Sequence, residues 1–505
     1  MNAGTTRSQT TWTMSNTILL KTDTPEFAND ISDEIRLFLS DAHIITEDDG
    51  ACDTVICTSL VQTDYNWCAR VTSDGDFCSE YTFEYPYFEG DALTVKRHKK
   101  RCIKIAAFRM MKKAFPNAFV PWGSLTGIRP TKLLRELEDD MGTDSAKDMM
   151  LSLFDTEPEK YAVAKETADT QRPFIRSVEE NDVDIYIGIP YCKTRCLYCS
   201  FASEIRTAKT DMRPYINALK EDIRLGARLL QDGKFNIRAA YMGGGTPTVL
   251  TEDELEEVLD FALECYGTMG NEFTAEAGRP DTITRKKLEI LKAHGVGRIS
   301  VNPQSMNEKT LKLIGRSHTP SEIEDAFYNA RDMGFIINTD IITCLPGEDI
   351  QDVLYTLECI EKMRPENMTV HTLALKRSSK LKQVIGDAEI ASIMPDTEIA
   401  SLMVDAGMKS AKKQGMNAYY MYRQKYMRGN LENIGYALPG TECLYNIDMM
   451  EETVSIMAHG AGSMSKRVFP GRSLRVERIP NPKDVGTYMS KLRTVYDEKE
   501  RLFLQ

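Results

Sequence analysis

Three cysteines fall within eight residues, in the run Cys192-Lys193-Thr194-Arg195-Cys196-Leu197-Tyr198-Cys199. The C-x3-C-x2-C spacing offers three thiolates and no nearby fourth. That is one ligand short of the closed tetrahedral set of a structural zinc. It suits a [4Fe–4S] cluster in which the protein holds three irons and the fourth iron stays open to another ligand. A structural zinc loop is the competing reading of the same stretch.

The elements around this loop must hold it at the edge of a folded core. A chain of 505 residues with 42% hydrophobic and 27% charged side chains is long enough for several globular domains. Its net charge of −12 disfavours a general nucleic-acid or anionic-membrane surface. No apolar run approaches the roughly 20 residues that span a bilayer. With no signal-peptide core either, the chain reads as cytoplasmic. The nine cysteines outside the loop, of twelve in all, then read as buried thiols rather than disulfides.

Three regions differ in pattern. Residues 1–175 mix strand-like runs (17–21, 54–58, 67–71 and 81–85) with a helix over 93–115, an α+β domain whose role the sequence leaves open. Arg129 and Lys132 there read as a solvated face or an anion contact. Residues 176–375 alternate strand and helix. Strands are expected over 183–189, 239–242, 273–275, 298–302, 336–342 and 368–373. Thr251-Glu-Asp-Glu254 is a capping box, and Thr319-Pro320 starts another helix. Six β-α units in series predict a parallel sheet. They are fewer than the eight of a closed barrel, so an open partial (β/α)6 barrel fits, with its site at the C-terminal ends of the strands. Residues 376–505, rich in Tyr and Met, read as a mostly helical cap or substrate region.

Other candidate groups sit on the same rim. Gly243-Gly244-Gly245-Thr246 follows the second strand and lets backbone approach a ligand closely. It lacks the P-loop pattern. Glu276 follows the third strand and suits ribose hydroxyls. Gln304, Arg316 and Asp340 follow or end later strands. Tyr198 is placed to shield a cluster and stack on an adenine, or simply to pack.

The run Tyr186-Ile-Gly-Ile-Pro-Tyr-Cys192, the Cys loop, Gly-Gly-Gly-Thr-Pro247, Ser300-Val-Asn-Pro-Gln-Ser305, Ile314-Gly-Arg-Ser-His318 and Asp340…Leu-Pro-Gly347 together resemble the oxygen-independent coproporphyrinogen III dehydrogenase family of radical S-adenosylmethionine (SAM) enzymes. Gly123-Ser-Leu-Thr-Gly-Ile-Arg-Pro-Thr131 and the stretch Tyr422 to Tyr436 resemble its HemZ-type branch. The resemblance covers about residues 120–465. It implies a [4Fe–4S] cluster on Cys192, Cys196 and Cys199. It implies a first SAM near Tyr186, Gly244, Gly245, Thr246 and Glu276, and a second near Gln304, Arg316, Asp340 and Ala374. The activity it implies is conversion of coproporphyrinogen propionates to vinyl groups, with the cofactor supplying the radical chemistry. An electron donor outside the chain is implied as well.

The chain departs from the family at three places. Phe201 stands where the dehydrogenases have a further cysteine, as in the related haem-chaperone branch. Asn302-Pro303 replaces Gly-Val, and Cys344 replaces Gly. Two other readings therefore stand beside decarboxylation: haem binding or delivery, with His371 or His459 as iron ligand, and radical chemistry on haem itself. For propionates, Arg377, Arg423 and Arg428 are the candidate carboxylate forks.

Overall fold

The computed structural model of the chain describes residues 17–374 except 41, 49, 51, 88 and 202, and residues 379–381, 393–424, 427–469 and 475–505. These group into two compact units, Met1–Thr126 with Thr143–Tyr161, and Gly127–Gly142 with Ala162–Gln505. The second unit takes in most of what the sequence divides at 175 and 375, because strands from the last region extend the same sheet.

The first unit is a five-stranded sheet in the order β2-β1-β3-β4-β5. Its strands are β1 (Thr17–Thr22), β2 (His43–Ile45), β3 (Thr54–Gln62), β4 (Asn66–Gly75) and β5 (Ser79–Pro86). Trp67, Ala69 and Val71 alternate inward on β4. They share a core with Cys102, Ile103, Ala106, Ala107 and Met110 of the helix Ala92–Ala114, residues spaced to lie on one helical face. That helix starts where expected, with the Asp91 side chain accepting from Thr94 N at 2.7 Å.

The second unit holds the six expected parallel strands: β6 (Asp182–Ile189), β9 (Asn236–Gly244), β10 (Glu272–Glu276), β11 (Arg298–Ser300), β12 (Ile336–Thr343) and β13 (Asn367–Thr372). The two-residue strands β7 (Tyr191–Cys192) and β8 (Glu204–Ile205) pair beside the Cys loop. β6 is buried on both faces, as a strand of a helix-covered parallel sheet must be. Helices return between the strands. The capping boxes Thr251/Glu254 and Thr319/Glu322 both form, and Asp349/Asp352 makes a third that the sequence reading missed. The stripe Tyr215, Leu219 and Ile223 is buried along the helix Arg213–Asp232.

Among the described residues, the C-terminal region contributes three helices, Thr397–Lys413, Leu444–Glu451 and Val485–Phe503. The same described residues form five strands: β14 (Asn417–Tyr422), β15 (Asn433–Ala437), β16 (Ser455–His459), β17 (Met464–Phe469) and β18 (Arg475–Pro480). The full order is β14-β15-β13-β12-β11-β10-β9-β6-β16-β17-β18. The sheet therefore ends in β14 and β18 and stays open. β16 adds a parallel strand beside β6, while β15 joins β13 antiparallel. β16 reads Ser-Ile-Met-Ala-His, five buried residues with no alternation, which periodicity cannot separate from a buried helical turn. Among the described residues, no helix is long and apolar enough to cross a membrane.

Arg129 and Lys132 face an anion of the chain's own rather than forming a solvated face. Arg129 pairs with Glu452 at 2.5 Å, and Lys132 Nζ lies 3.8 Å from the same carboxylate. Arg135 pairs with Glu451, holding the helix Pro130–Met141 within the second unit.

One buried acid lacks such a partner. Asp184 on β6 is fully buried, and neither carboxylate oxygen makes a hydrogen bond of good geometry. Burial first, then the negative Asp448 nearby, raise its pKa well above the carboxylate range. Arg238 bonds Asp448 at 2.8 Å. The folded state thus keeps a proton that the unfolded chain releases above about pH 4. Stability from this group falls as pH rises from there towards its folded pKa. Asp184→Asn should gain on the native chain by about 1–3 kcal/mol between pH 4 and pH 8. Urea unfolding at the two pH values measures the difference; a constant gap would mean that Asp184 is ionised in the fold.

Candidate functional site

The C-terminal ends of the strands open into one cavity of about 370 Å3. Cys192, Cys196 and Cys199 line it on one side. Their loop is set by backbone hydrogen bonds. Gly245 N donates to Ile189 O and Thr246 N to Tyr191 O, each at 2.8 Å. Leu197 N donates to Ile314 O at 2.9 Å, and Cys199 N to Cys196 O at 3.1 Å. The glycine turn lies so close to the loop that a Cβ on Gly245 would sit 2.5 Å from Tyr191 O. Gly244 has φ +111, which other residues rarely adopt.

Cys196 is buried, and Cys192 and Cys199 are half-buried. Thr246 Oγ1 lies 3.5 Å from Cys192 Sγ, and Arg279 Nη1 donates to Cys196 Sγ at 3.8 Å. Burial pushes the Cys199 thiol up. Among the described residues, no group of three or more His, Cys, Asp or Glu is arranged to hold a metal ion. The thiols surround one cavity with charged and hydroxyl donors aimed at two of them, and this donor set fits a multi-iron cluster.

The residues expected at the cluster and SAM gather here with one exception. Tyr198, Gly244, Gly245, Thr246, Glu276, Gln304, Arg316, Asp340 and Ala374 all line the cavity. Burial pushes the Tyr198 phenol above its usual range. Tyr186 does not reach the cavity wall. It packs behind it, stacked on Tyr241 with ring centroids 6.2 Å apart. Tyr241 takes the place on the wall, and its hydroxyl donates to Glu276 Oε1 at 2.8 Å. Burial raises the Glu276 carboxyl to about 7; the Tyr241 hydrogen bond opposes the shift and the Asp340 charge adds to it.

Gln304 is held at φ +67 between Asp340 and Ile342, through Gln304 N to Asp340 O at 3.0 Å and Ile342 N to Gln304 O at 2.9 Å. Its buried Oε1 has no partner, and neither does Arg316 Nε. Strain and unpartnered polar atoms at a cavity wall are what a bound polar ligand would resolve. The other Arg316 nitrogens bond backbone carbonyls, Gly278 O at 3.0 Å among them. On the far wall His371 Nε2 lies 3.8 Å from Asp340 Oδ2, and its Nδ1 lies 3.4 Å from the Tyr422 hydroxyl.

Several candidates fall elsewhere. His459 is fully buried and away from the cavity. Its Nδ1 lies 3.2 Å from Asp222 and its Nε2 is 2.6 Å from the Tyr266 hydroxyl, so it is unavailable to a ligand's iron. Arg423 is buried, with Nη2 on Asn430 O at 3.0 Å, and is absent from the cavity wall. Arg377 and the Arg428 side chain lie outside the described residues. The reading missed Tyr241, Arg195 and Arg279. Tyr241 was discoverable, since it lies two residues before Gly243 and so shares its strand face. Arg279 carried no signal beyond standing three residues after Glu276.

The radical SAM superfamily profile matches residues 186–360. The chain is 34% identical to the oxygen-independent coproporphyrinogen-III oxidase-like protein HemZ of Bacillus subtilis, over 92% of this chain and 93% of that protein. The chain belongs to the HemZ-like branch of the radical SAM proteins. Radical SAM proteins of this kind use a [4Fe–4S] cluster and SAM. It is also 31% identical to the haem chaperone HemW of Bacillus subtilis, over 38% of this chain and 50% of that protein. The solved structure of Escherichia coli coproporphyrinogen III oxidase (HemN), a radical SAM enzyme, shares the fold. Its TM-score is 0.52 at 21% identity, covering 66% of this chain and 73% of that one.

The glycine contact makes a prediction for this HemZ-like chain. Gly245→Ala should cost about 1–3 kcal/mol in urea unfolding, because backbone rather than a flexible side chain must move. Gly297→Ala, with open space around its Cβ, should cost less than about 1 kcal/mol. Equal costs would contradict the close approach.

Proposed function

We propose that this protein oxidatively decarboxylates coproporphyrinogen III, converting propionate side chains to vinyl groups in the cytoplasm. The observation that carries the reading is the convergence of the three-thiol loop, the glycine turn, Glu276 and Asp340 on one cavity, in a chain alike to HemZ over nearly its whole length. Cys192, Cys196 and Cys199 hold the cluster. Gly244, Gly245 and Thr246 admit SAM to close backbone contact. Glu276, partly protonated near neutral pH, bonds the ribose hydroxyls either as acceptor or as donor. Gln304, Arg316, Asp340 and Ala374 contact the same SAM or a second one.

With cluster and SAM bound, the site would supply hydrogen-atom abstraction at the propionate β-carbon. Each propionate would give up one β-hydrogen atom to the SAM-derived group, release CO2 and pass one electron to an acceptor outside the chain, becoming a vinyl. The chain's own residues orient the substrate and exclude water: Tyr198 covers the cluster side, and Tyr420, Tyr422 and Leu373 face it. Electrons for cluster reduction come from a donor outside the chain.

A second reading has one observation of its own. His371 lies on the cavity wall, half-buried and oriented by Asp340 and Tyr422, where it is placed to ligate haem iron. That reading suits haem delivery or radical chemistry on haem.

Anaerobic turnover of reconstituted protein with SAM, reductant and coproporphyrinogen III separates these. Mass spectrometry should find loss of CO2 plus two hydrogens per vinyl formed, matched by 5′-deoxyadenosine. Cys192→Ala, Cys196→Ala and Cys199→Ala should each abolish both products and lose cluster iron. Deoxyadenosine with unchanged porphyrin would overturn decarboxylation. A haem Soret shift lost in His371→Ala would then favour the second reading.

A further inference from the structure

Arg279 makes contacts that neither cluster ligation nor SAM binding accounts for. It leaves β10 three residues after Glu276 and is only 3% exposed. Every N–H of its guanidinium has an acceptor. Nε and Nη2 form a fork on the Asp281 carboxylate at 3.0 and 3.2 Å, and Nη2 also reaches Ser317 Oγ at 3.2 Å. Nη1 donates to Thr194 Oγ1 at 2.6 Å, to Thr194 O at 3.2 Å and to Cys196 Sγ at 3.8 Å. Asp281 is held in turn by Lys193 Nζ at 3.3 Å. One planar cation thus ties together the Cys loop, the loop after β10 and the Ser317 segment.

A donor on a thiolate ligand has a definite electrical consequence. Each N–H bond and each nearby positive charge stabilises the more negative, reduced cluster and so raises its reduction potential. Burial makes the effect larger than it would be in water. The arrangement also fixes where Cys196 sits, because a fork of five donors cannot turn without losing several bonds at once. Arg316 reaches the same cysteine as well, while its Nη1 and Nη2 bond the carbonyls of Asn302, Pro303 and Gly278.

We propose that Arg279 is a positioning residue for the iron–sulphur cluster, seating Cys196 and raising the cluster's reduction potential towards that of its electron donor. This rests on the reading that the three thiolates hold the cluster. Lysine at this position keeps the charge but not the fork. Neutral residues remove both.

The test is a redox titration of anaerobically reconstituted protein without SAM, followed by electron paramagnetic resonance, with iron counted per chain. Arg279→Met and Arg279→Gln should retain the native circular dichroism and titrate at a more negative potential than the native chain. Arg279→Lys should move back towards the native potential but take up less iron. Folded variants that load no cluster would support the seating role alone. Either neutral variant loading full iron at the native potential overturns the proposal. Should the neutral variants not fold, Arg279→Lys with native iron content and native potential overturns it instead. Failure of the native chain to take up a cluster would instead overturn the ligand reading beneath it.

Discussion

The mouth of the sheet depends on one close approach, the packing of Gly245 against the backbone of Tyr191. Three backbone atoms of Tyr191 lie within 3 Å of where a Cβ would stand. Because the two segments meet without side chains between them, Gly245 and Thr246 reach Ile189 and Tyr191 with short hydrogen bonds. The Cys loop is thereby fixed to two neighbouring strands, β6 and β9, rather than hanging from one. Thr246 then faces Cys192, and Arg279 arrives from the next strand to face Cys196. The loop that carries the three cysteines is thus pinned to rigid strand ends, which hold position better than a free loop would.

Below the cavity the interior is charged, and buried charge has to be matched or neutralised. Arg298 bonds Glu272 at 2.9 Å and Asn338 Oδ1 at 3.2 Å, with Glu442 O at 3.1 Å. Cys443 donates to Glu272 at 3.2 Å, and Arg238 bonds Asp448. The contacts to Glu442, Cys443 and Asp448 tie barrel strands to the helix Leu444–Glu451 or the residues before it, while those of Arg298 to Glu272 and Asn338 join neighbouring strands. Such pairs add little net stability against apolar packing, but breaking one leaves a bare buried charge. Their effect is to fix one arrangement of the C-terminal region against the barrel. A second network does the same for the last helix, where Lys499 meets Asp222 at 2.9 Å and Tyr488 meets it at 2.8 Å.

The sequence made the repeating part of this architecture readable, because strand and helix periods alternate there and two capping boxes mark helix starts. The glycine turn and Cys loop were readable because their spacing restricts what they can bind. What stayed hidden were pairings between distant segments. Nothing in Ser455–His459 announces that it completes the parallel sheet beside β6, since a short apolar run has no period. His459 looked like a ligand because a histidine carries chemistry by type, yet Asp222 and Tyr266 occupy both of its nitrogens. Tyr186 and Tyr241 were exchanged for a similar reason. Both face the same side of the sheet, and only the stack of Tyr186, Tyr241 and Tyr445 decides which ring reaches the cavity.

The cavity's two walls have different origins. The cysteines, glycine turn, Glu276 and Arg279 come from the first three parallel strands, β6, β9 and β10, and the loops after them. The opposite wall includes Tyr420, Tyr422, Gln424, Asn433 and Asn446, all from the C-terminal region, joined there by Asp340 and His371. Tyr420 and Tyr422 lie nearly parallel, with ring centroids 6.3 Å apart and an 8° interplanar angle, and both line the cavity from the strand β14 that pairs with β15. Such a wall suits a planar or nearly planar ring system, and the polar groups around it suit the ring's substituents. The wall that carries the cysteines is fixed by the barrel strands and the loops after them. On the proposed reading, the choice between a porphyrinogen and haem would lie with the C-terminal wall, and with whether His371 stays paired with Asp340 or turns to a metal.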